Sequence, residues 1–219
     1  MRFQGWGDCD GEDEHLVIVM LNGTSSSGKT ALARALQLQW KGPLLHLGTD
    51  TAHAMLPASY VGMKPTAHDG IHFYIDTDDR GPVVRVRSGS VGKKLEASFA
   101  RVAQVLADDG HDLVLDLVLF DPSSLASYVQ ALHSHRTYFI GVHCEPGVLE
   151  ARELVRGNRF QGLARAQQSV VHESRRFYDL EVDTTSLGPH ELARSIVEFV
   201  NSHPKPASMS LLYSRLFSG

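Results

Sequence analysis

Eight consecutive residues, 23–30, have the types and spacing of a phosphate-binding loop. They read GTSSSGKT, which fits the pattern G-x-x-x-x-G-K-[ST] at every fixed position. The glycines permit a tight turn in which successive backbone N–H groups point at phosphate oxygens. Lys29 can then reach the β- and γ-phosphates, and the Thr30 hydroxyl can hold Mg²⁺. The pattern predicts a nucleoside triphosphate site formed by Gly23, Thr24, Ser25, Ser26, Ser27, Gly28, Lys29 and Thr30.

The segments on either side of this loop have the patterns that the motif requires. Residues 16–21, LVIVML, form a short apolar run typical of a buried parallel strand. Residues 31–40 follow the loop and place Leu32, Leu36 and Trp40 on one helical face. A chance match in a loop rich in glycine and serine would have neither flank. The unit predicts that phosphates lie at a helix N-terminus, whose partial positive charge attracts them.

Two carboxylates follow later predicted strands. Asp50 comes just after the strand at 44–47, where open α/β sheets bind ligands, and is the first candidate for a catalytic carboxylate. The alternative is that Asp50 caps a short helical turn through 52–55. Asp116 lies in the apolar run 113–118, which resembles a strand that carries a Mg²⁺-associated acid. We therefore expect Thr30 and Asp116 to form the metal site.

Two arginines bracket a Gly-Asn turn at the end of a predicted helix that begins at Pro146. Arg156 and Arg159 carry guanidinium groups that can close over a phosphoryl group in transfer, so residues 156–165 are interpreted as a lid. The alternative is a solvated basic helix end, which the helix dipole favours. The position after the fourth predicted strand favours the lid.

The order of elements predicts an α/β fold of the adenylate-kinase type. Five strands, at 16–21, 44–47, 113–118, 137–144 and 180–183, alternate with helices, which indicates a five-stranded parallel sheet flanked by helices and typical of a P-loop kinase. Residues 58–95 interrupt the alternation, and the runs 71–75 and 83–87 predict a hairpin. We interpret this insertion as a cover over the active site that carries the acceptor pocket. A surface flap is the alternative.

The length and the composition of the chain predict a single domain with a segment at each end. The chain has 219 residues, 42% of them hydrophobic, which suits a single kinase domain over 15–203. The acid-rich residues 1–14 are predicted to be a disordered arm. The apolar side chains in the tail 204–219 are expected either to dock on the body or to form a contact in a homo-oligomer.

The charge and the cysteines bear on partners and location. A net charge of −4 gives no reason to expect a nucleic-acid partner, and no apolar run is long enough to span a membrane. The acidic start lacks the features of a secretory signal, and the two cysteines indicate neither a disulfide framework nor a zinc site. We therefore expect a cytoplasmic protein.

Beyond the phosphate-binding loop, a series of short motifs resembles the chloramphenicol phosphotransferases. The resemblance covers about 15–202 and is carried by LNG at 21–23, GKT at 28–30, GTD at 48–50, MLP at 55–57, ARE at 151–153, RGNR at 156–159, Gln168, VVHE at 170–173, YD at 178–179 and EVDTT at 181–185. It implies ATP-dependent phosphorylation of a hydroxyl on a small antibiotic, with Asp50 matching the family's general base. It also implies that Asp183 and Thr184 lie near the nucleotide base. GTP in place of ATP stays open.

The chain departs from the family pattern in two places. Leu117 follows Asp116 where the family tends to have a second acid, and residues 58–95 match poorly. Chloramphenicol is therefore only the nominal acceptor, and another hydroxylated natural product, such as a nucleoside antibiotic, is the alternative. A kinase of a metabolite or nucleotide-sugar is a rival, for which Arg85, Arg87, Lys93 and Lys94 could form a second basic cluster. A nucleotide-dependent switch is the rival of a different class.

Overall fold

The computed structural model describes residues 16–157, 160–173 and 177–218. Its strands are β1 (Ile18–Asn22), β2 (Leu44–Gly48), β3 (Val61–Gly62), β4 (Ile71–Asp78), β5 (Gly81–Ser88), β6 (Asp112–Leu117), β7 (Thr137–His143) and β8 (Leu180–Asp183). Its helices are α1 (Lys29–Gln39), α2 (Thr49–Ala54), α3 (Ser90–Asp108), α4 (Pro122–Leu132), α5 (Pro146–Arg156), α6 (Leu163–Val171), α7 (Pro189–Ser202) and α8 (Ser208–Phe217). The predicted arm at 1–14 lies outside the described residues.

Five strands form a parallel sheet in the order β2-β6-β1-β7-β8, so the predicted fold class is confirmed. In this sheet Leu21 pairs with Asp116 and Gly48 pairs with the same residue from the other side. The carboxyl ends of β1, β2 and β6 are therefore level. This register brings the phosphate-binding loop, the start of α2 and Asp116 to one edge of the sheet.

The sheet is covered by helices on both faces because its strands alternate two apolar sets of side chains. Ile18 and Met20 pack toward α3, α4 and α8, whereas Val19 and Leu21 pack toward α1 and α7. All four side chains are fully buried. The strands are thus held in the middle of a three-layer domain, which fixes the loops at its carboxyl edge.

The C-terminal tail docks on the body of the protein. Met209 and Leu212 on α8 are buried in the same cluster as the apolar side chains of α4 and the sheet. Met209 and Leu212 therefore dock on the body, which is one of the two outcomes expected for the apolar residues of the tail. Leu211, Leu216 and Phe217 remain exposed on the outer side of α8.

The predicted hairpin is present, with longer strands than expected. β4 and β5 pair antiparallel from Ile71 with Ser88 to Asp78 with Gly81, and the short β3 adds a third strand parallel to β4. Helix α6 ends at Val171, and residues 174–176 lie outside the described part of the chain. Among the described helices, none is long and apolar enough to cross a bilayer.

Candidate active site

The loop between β1 and α1 is shaped to hold an anion. Ser26 and Gly28 both have positive φ angles, 61° and 90°, which turns successive N–H groups toward one side. A Cβ atom on Gly23 would lie 2.4 Å from the carbonyl oxygen of Val142, so only glycine fits where the loop leaves the strand. Within the described residues, the buried Oγ atoms of Ser25 and Ser26 have no hydrogen-bond partner. A phosphate would supply the acceptors that these hydroxyls lack.

Lys29 lies inside this loop instead of extending into solvent. The residue is only 5% exposed, and its Nζ donates to the carbonyl oxygen of Thr24 at 2.8 Å. The same atom lies 3.9 Å from Oδ1 of Asp116. Because an ammonium group is costly to bury without counter-charge, this position is suited to a site where phosphate oxygens join the carboxylate.

Thr30 and Asp116, the two residues expected to form a metal site, are in direct contact. The Thr30 hydroxyl donates to Oδ2 of Asp116 at 2.6 Å, and His46 Nε2 lies 3.7 Å from the same oxygen. Burial raises the pKa of Asp116, but the His46 ring, the charge of Lys29 and the Thr30 hydroxyl outweigh it and hold the pKa below its usual value. An ionised carboxylate beside a hydroxyl is a donor set that fits Mg²⁺.

Leu117, which stands where the family tends to have a second acid, faces away from this site. It is 1% exposed and belongs to the apolar cluster between the sheet and α3, α4 and α8. Adjacent residues of a strand point to opposite faces, so an acid at this position would have to share that apolar space. The departure from the family pattern therefore leaves Asp116 as the carboxylate that β6 presents beside Thr30.

Asp50 lies in the first turn of α2 and is exposed, and it lines one cavity together with Lys29, Thr30 and Asp116. The residue that precedes α2 is Gly48, and no side chain caps the helix. The capping interpretation of Asp50 therefore does not fit. Its exposed side chain borders the cavity beside the phosphate-binding loop.

Arg156 is the last residue of α5, and Gly157 ends the helix with a φ angle of 63°. Arg156 lines both the cavity at Asp50 and a second cavity next to it. Arg159, the other arginine of the predicted lid, lies outside the described residues. The buried Glu153 accepts hydrogen bonds from the N–H groups of Gly162 and Ala164 at 2.9 and 2.7 Å, which ties the far end of the predicted lid to α5.

The hairpin insertion forms one wall of the cavity at Asp50. Phe73 from β4 and Val86 from β5 line it, opposite the phosphate-binding loop. Val118, Phe120 and Leu163 complete an apolar side. The lining of this cavity, whose volume is about 60 Å³, therefore combines charged residues, which suit phosphoryl chemistry, with apolar residues, which suit contact with an apolar part of an acceptor.

The second cavity, of about 620 Å³, extends from the other side of the loop. Its lining includes Val148, Ala151 and Leu187, together with Arg152 and Thr184. The Arg152 guanidinium donates to Oγ1 and to the carbonyl oxygen of Thr184, at 3.1 and 2.7 Å. This largely apolar space beside a planar cation suits a nucleotide base.

Of the two residues expected near the base, only Thr184 lines this cavity. Its hydroxyl donates to the carbonyl oxygen of Ser27 at 2.7 Å and so connects β8 with the phosphate-binding loop. Asp183 is exposed, and its carboxylate accepts from the backbone N–H of Thr185. The hydroxyl and the N–H of Thr185 hold the pKa of Asp183 below its usual value. In the structure Asp183 shapes the turn that carries Thr184.

Three side chains of the site were missed by the motif reasoning. Gln167 accepts a hydrogen bond from the backbone N–H of Ser25 at 2.7 Å. Gln167 and His53 both line the cavity at Asp50. Arg152, quoted only as part of a family motif, joins α5 to β8. A usable signal was helical spacing, since Arg152 lies four residues before Arg156 and His53 three after Asp50. For Gln167 no sequence signal stood out.

Comparisons with known proteins identify the family and the fold of this chain. A family model described as chloramphenicol phosphotransferase-like protein matches residues 17–201. A protein of Mycobacterium tuberculosis (strain CDC 1551 / Oshkosh) with the name "Putative O-phosphotransferase" is 28% identical over 212 residues, which cover 92% of this chain and 89% of that one.

Two solved structures share the fold. The Mycobacterium tuberculosis APS kinase, solved with AMPPNP and APS, has a TM-score of 0.59 and 17% identity and covers 85% of this chain and 98% of its own. The shikimate kinase of Acinetobacter baumannii, solved with shikimate, has a TM-score of 0.59 and 14% identity over 87% of this chain and 96% of its own.

Proposed function

The chain belongs to the chloramphenicol phosphotransferase-like family and is a phosphotransferase, and we propose that it transfers the γ-phosphoryl group of ATP to a hydroxyl of a small antibiotic. The acceptor is chloramphenicol or another hydroxylated natural product, such as a nucleoside antibiotic. Phosphorylation would inactivate the drug and confer resistance. The observation that carries the proposal is that Lys29, Asp50 and an apolar wall converge on one cavity.

The two cavities suggest how the nucleotide lies. The phosphates occupy the loop, where Ser25 and Ser26 have unpartnered buried hydroxyls, and the base occupies the larger cavity between Arg152 and Leu187. ATP is the donor in this proposal, with GTP as the alternative. Thr30 and Asp116 would hold Mg²⁺, which neutralises charge on the β- and γ-phosphates when it is bound.

Asp50 acts as the general base. Its carboxylate accepts the proton of the acceptor hydroxyl while that oxygen attacks the γ-phosphorus and the bond to the ADP oxygen breaks. Lys29 and Arg156, which line the same cavity, stabilise the negative charge on the phosphoryl group in transfer. We assign the same role to Arg159 from its position in the sequence.

The surroundings of the cavity favour an uncharged acceptor over a phosphorylated one. Arg85 pairs with Asp76 at 2.5 Å, Lys93 lies 3.8 Å from Asp121, and Arg87 contacts His68. None of these cations, nor Lys94, lines the cavity at Asp50. The second basic cluster that a phosphorylated acceptor would need therefore does not line this cavity, whereas the aromatic and aliphatic side chains of Phe73, Val86 and Leu163 do.

The proposal is tested by ADP release from the purified protein with Mg-ATP and a panel of hydroxylated antibiotics that includes chloramphenicol. Mass spectrometry of each acceptor would look for the gain of one phosphate. We expect acceptor-dependent ADP release with at least one panel member and none from the Lys29→Ala variant. Tight ATP binding without turnover of any panel member would contradict the proposal and favour a metabolite kinase or a switch.

A further inference from the structure

His53 is a polar residue that lines the cavity at Asp50 and that the proposed chemistry does not use. It lies one helical turn after Asp50 on α2, so that both side chains are on the same face of the helix. Its side chain is 15% exposed. Among the other residues that line this cavity, Phe73, Val86 and Phe120 have no polar side-chain atoms to offer an acceptor.

Behind His53 lies a carboxylate whose two oxygens are both held in place. The Ser88 hydroxyl donates to Oε1 of Glu96 at 2.6 Å, and the Ser124 hydroxyl donates to Oε2 at 2.8 Å. These partners come from β5 and α4, and Glu96 itself lies on α3. Burial raises the pKa of Glu96, but His53 and the two hydroxyls outweigh it, and the carboxyl group stays ionised.

The position of this carboxylate bears on which nitrogen of His53 carries the proton. Nε2 is buried, lies 3.7 Å from Oε1 of Glu96, and has no hydrogen-bond partner among the described residues. A neutral imidazole has one N–H donor and one acceptor nitrogen, and a facing carboxylate favours the proton on the nitrogen that it faces. In a neutral ring this arrangement would place the proton on Nε2 and leave Nδ1 as the acceptor nitrogen.

We propose that His53, oriented by Glu96, is a specificity-determining residue that accepts a hydrogen bond through Nδ1 from a second donor group of the acceptor. The acceptor is then an uncharged molecule with a hydroxyl or N–H close to the hydroxyl that Asp50 deprotonates, and with an apolar part against Phe73 and Val86. This inference rests on the proposed function, which it narrows. Glu96 is a positioning residue, because it acts only through His53.

The first test needs no acceptor. ¹⁵N-edited NMR of the full chain reads the tautomer of each histidine, and His53→Asn identifies the signal by its absence. We expect the Nε2–H tautomer for His53 in the wild type and a mixture of tautomers in Glu96→Gln. A dominant Nδ1–H tautomer in the wild type, or no change in Glu96→Gln, would overturn the inference.

The second test uses chloramphenicol, or the panel member that turns over if a different one does. His53→Ala should raise the KM for this acceptor about tenfold, the usual effect of one lost hydrogen bond, with kcat within about threefold and the KM for ATP unchanged. His53→Asn, whose amide oxygen replaces Nδ1, should restore the acceptor KM to within about threefold. An acceptor KM unchanged in His53→Ala, or equal losses in both variants, would overturn the inference.

A matched control exists on the same helix. Asp108 at the end of α3 faces Nε2 of His135 at 2.9 Å, far along the helix from Glu96. Asp108→Asn removes a carboxylate from a histidine in the same way and should leave the acceptor KM unchanged. If no panel member turns over, the proposed function fails, while the tautomer measurement still decides whether Glu96 orients His53.

Discussion

The Thr30 hydroxyl and the Asp116 carboxylate, 86 residues apart in the sequence, are joined by a hydrogen bond of 2.6 Å at the carboxyl edge of the sheet. Thr30 lies in the first turn of α1 and Asp116 lies near the end of β6, so the contact joins the phosphate-binding loop to the neighbouring strand. The pair is placed before any ligand arrives, which reduces the cost of ordering the site around Mg²⁺ and the nucleotide.

Asp116→Asn should weaken the binding of Mg²⁺ to the enzyme. The amide keeps the shape of the side chain but loses the negative charge, so the Mg²⁺ concentration for half-maximal turnover should rise about tenfold or more. Titration of MgCl₂ at saturating ATP measures this. Asp76→Asn, which removes an exposed carboxylate on the hairpin, should leave the titration unchanged. An identical Mg²⁺ titration for Asp116→Asn and wild type would exclude Asp116 from the metal site.

Asp50→Asn should reduce turnover by a factor of about 10² or more, because the amide cannot accept the proton of the acceptor hydroxyl. ATP affinity, measured by calorimetry, should stay close to that of the wild type, since Asp50 does not line the larger cavity that is proposed for the base. Asp79→Asn on the exposed hairpin turn serves as the control. Loss of ATP binding in Asp50→Asn would argue for a structural role in place of a catalytic one.

Arg152→Lys should raise the Kd for ATP about tenfold. Lysine keeps the charge but loses the planar fork that donates to two oxygens of Thr184 and presents a flat face to the base cavity. Calorimetric titration with a non-hydrolysable ATP analogue measures the change. Arg101→Lys, at an exposed arginine on α3, should bind the analogue as the wild type does. Equal affinities for both variants would exclude Arg152 from the nucleotide site.

Asn22→Leu should lower the free energy of unfolding by about 3 kcal/mol, because two buried backbone groups lose their partners. The Asn22 amide donates to the carbonyl oxygen of Val171 at 2.9 Å, and its Oδ1 accepts from the N–H of Leu119 at 3.0 Å. Denaturant unfolding measures the loss. Gln39→Ala, at the exposed end of α1, should change stability by no more than about 0.5 kcal/mol. A similarly small effect in Asn22→Leu would mean that water replaces both contacts.

Glu96 should make stability depend on pH in the acid range. Its pKa in the folded protein lies below the ordinary value of 4.5, so the stabilisation it provides is complete above that value and is lost as pH falls through the folded pKa. His53 faces the carboxylate. The pKa of the buried Tyr128 is raised mainly by burial and, to a smaller extent, by the negative charge of Glu96. Melting temperatures from about pH 7 down to about pH 3.5 should fall less steeply for Glu96→Gln than for the wild type. Parallel curves would contradict this expectation.

The sequence by itself determined the parts of the protein that are local. The phosphate-binding loop consists of eight contiguous residues, and its backbone shape follows from its glycines. The strands of the sheet can be recognised in the sequence as short apolar runs. The carboxyl ends of parallel strands lie at the same edge of a sheet. The prediction of β1 and β6 as parallel strands therefore also predicted that Thr30 and Asp116 lie close together. The five-stranded sheet could be predicted for the same reason.

Tertiary structure decided which distant side chains share a cavity. Glu96 reaches His53 only because α3 packs beside α2, and Gln167 reaches Ser25 across 142 residues of chain. The docking of α8 on the body of the protein and the burial of Leu117 likewise depend on which helix covers which face of the sheet. Such contacts have no local signature, because many pairings of polar residues are compatible with the same spacing. The packing of the whole domain selects one of them, and with it the acceptor side of the site.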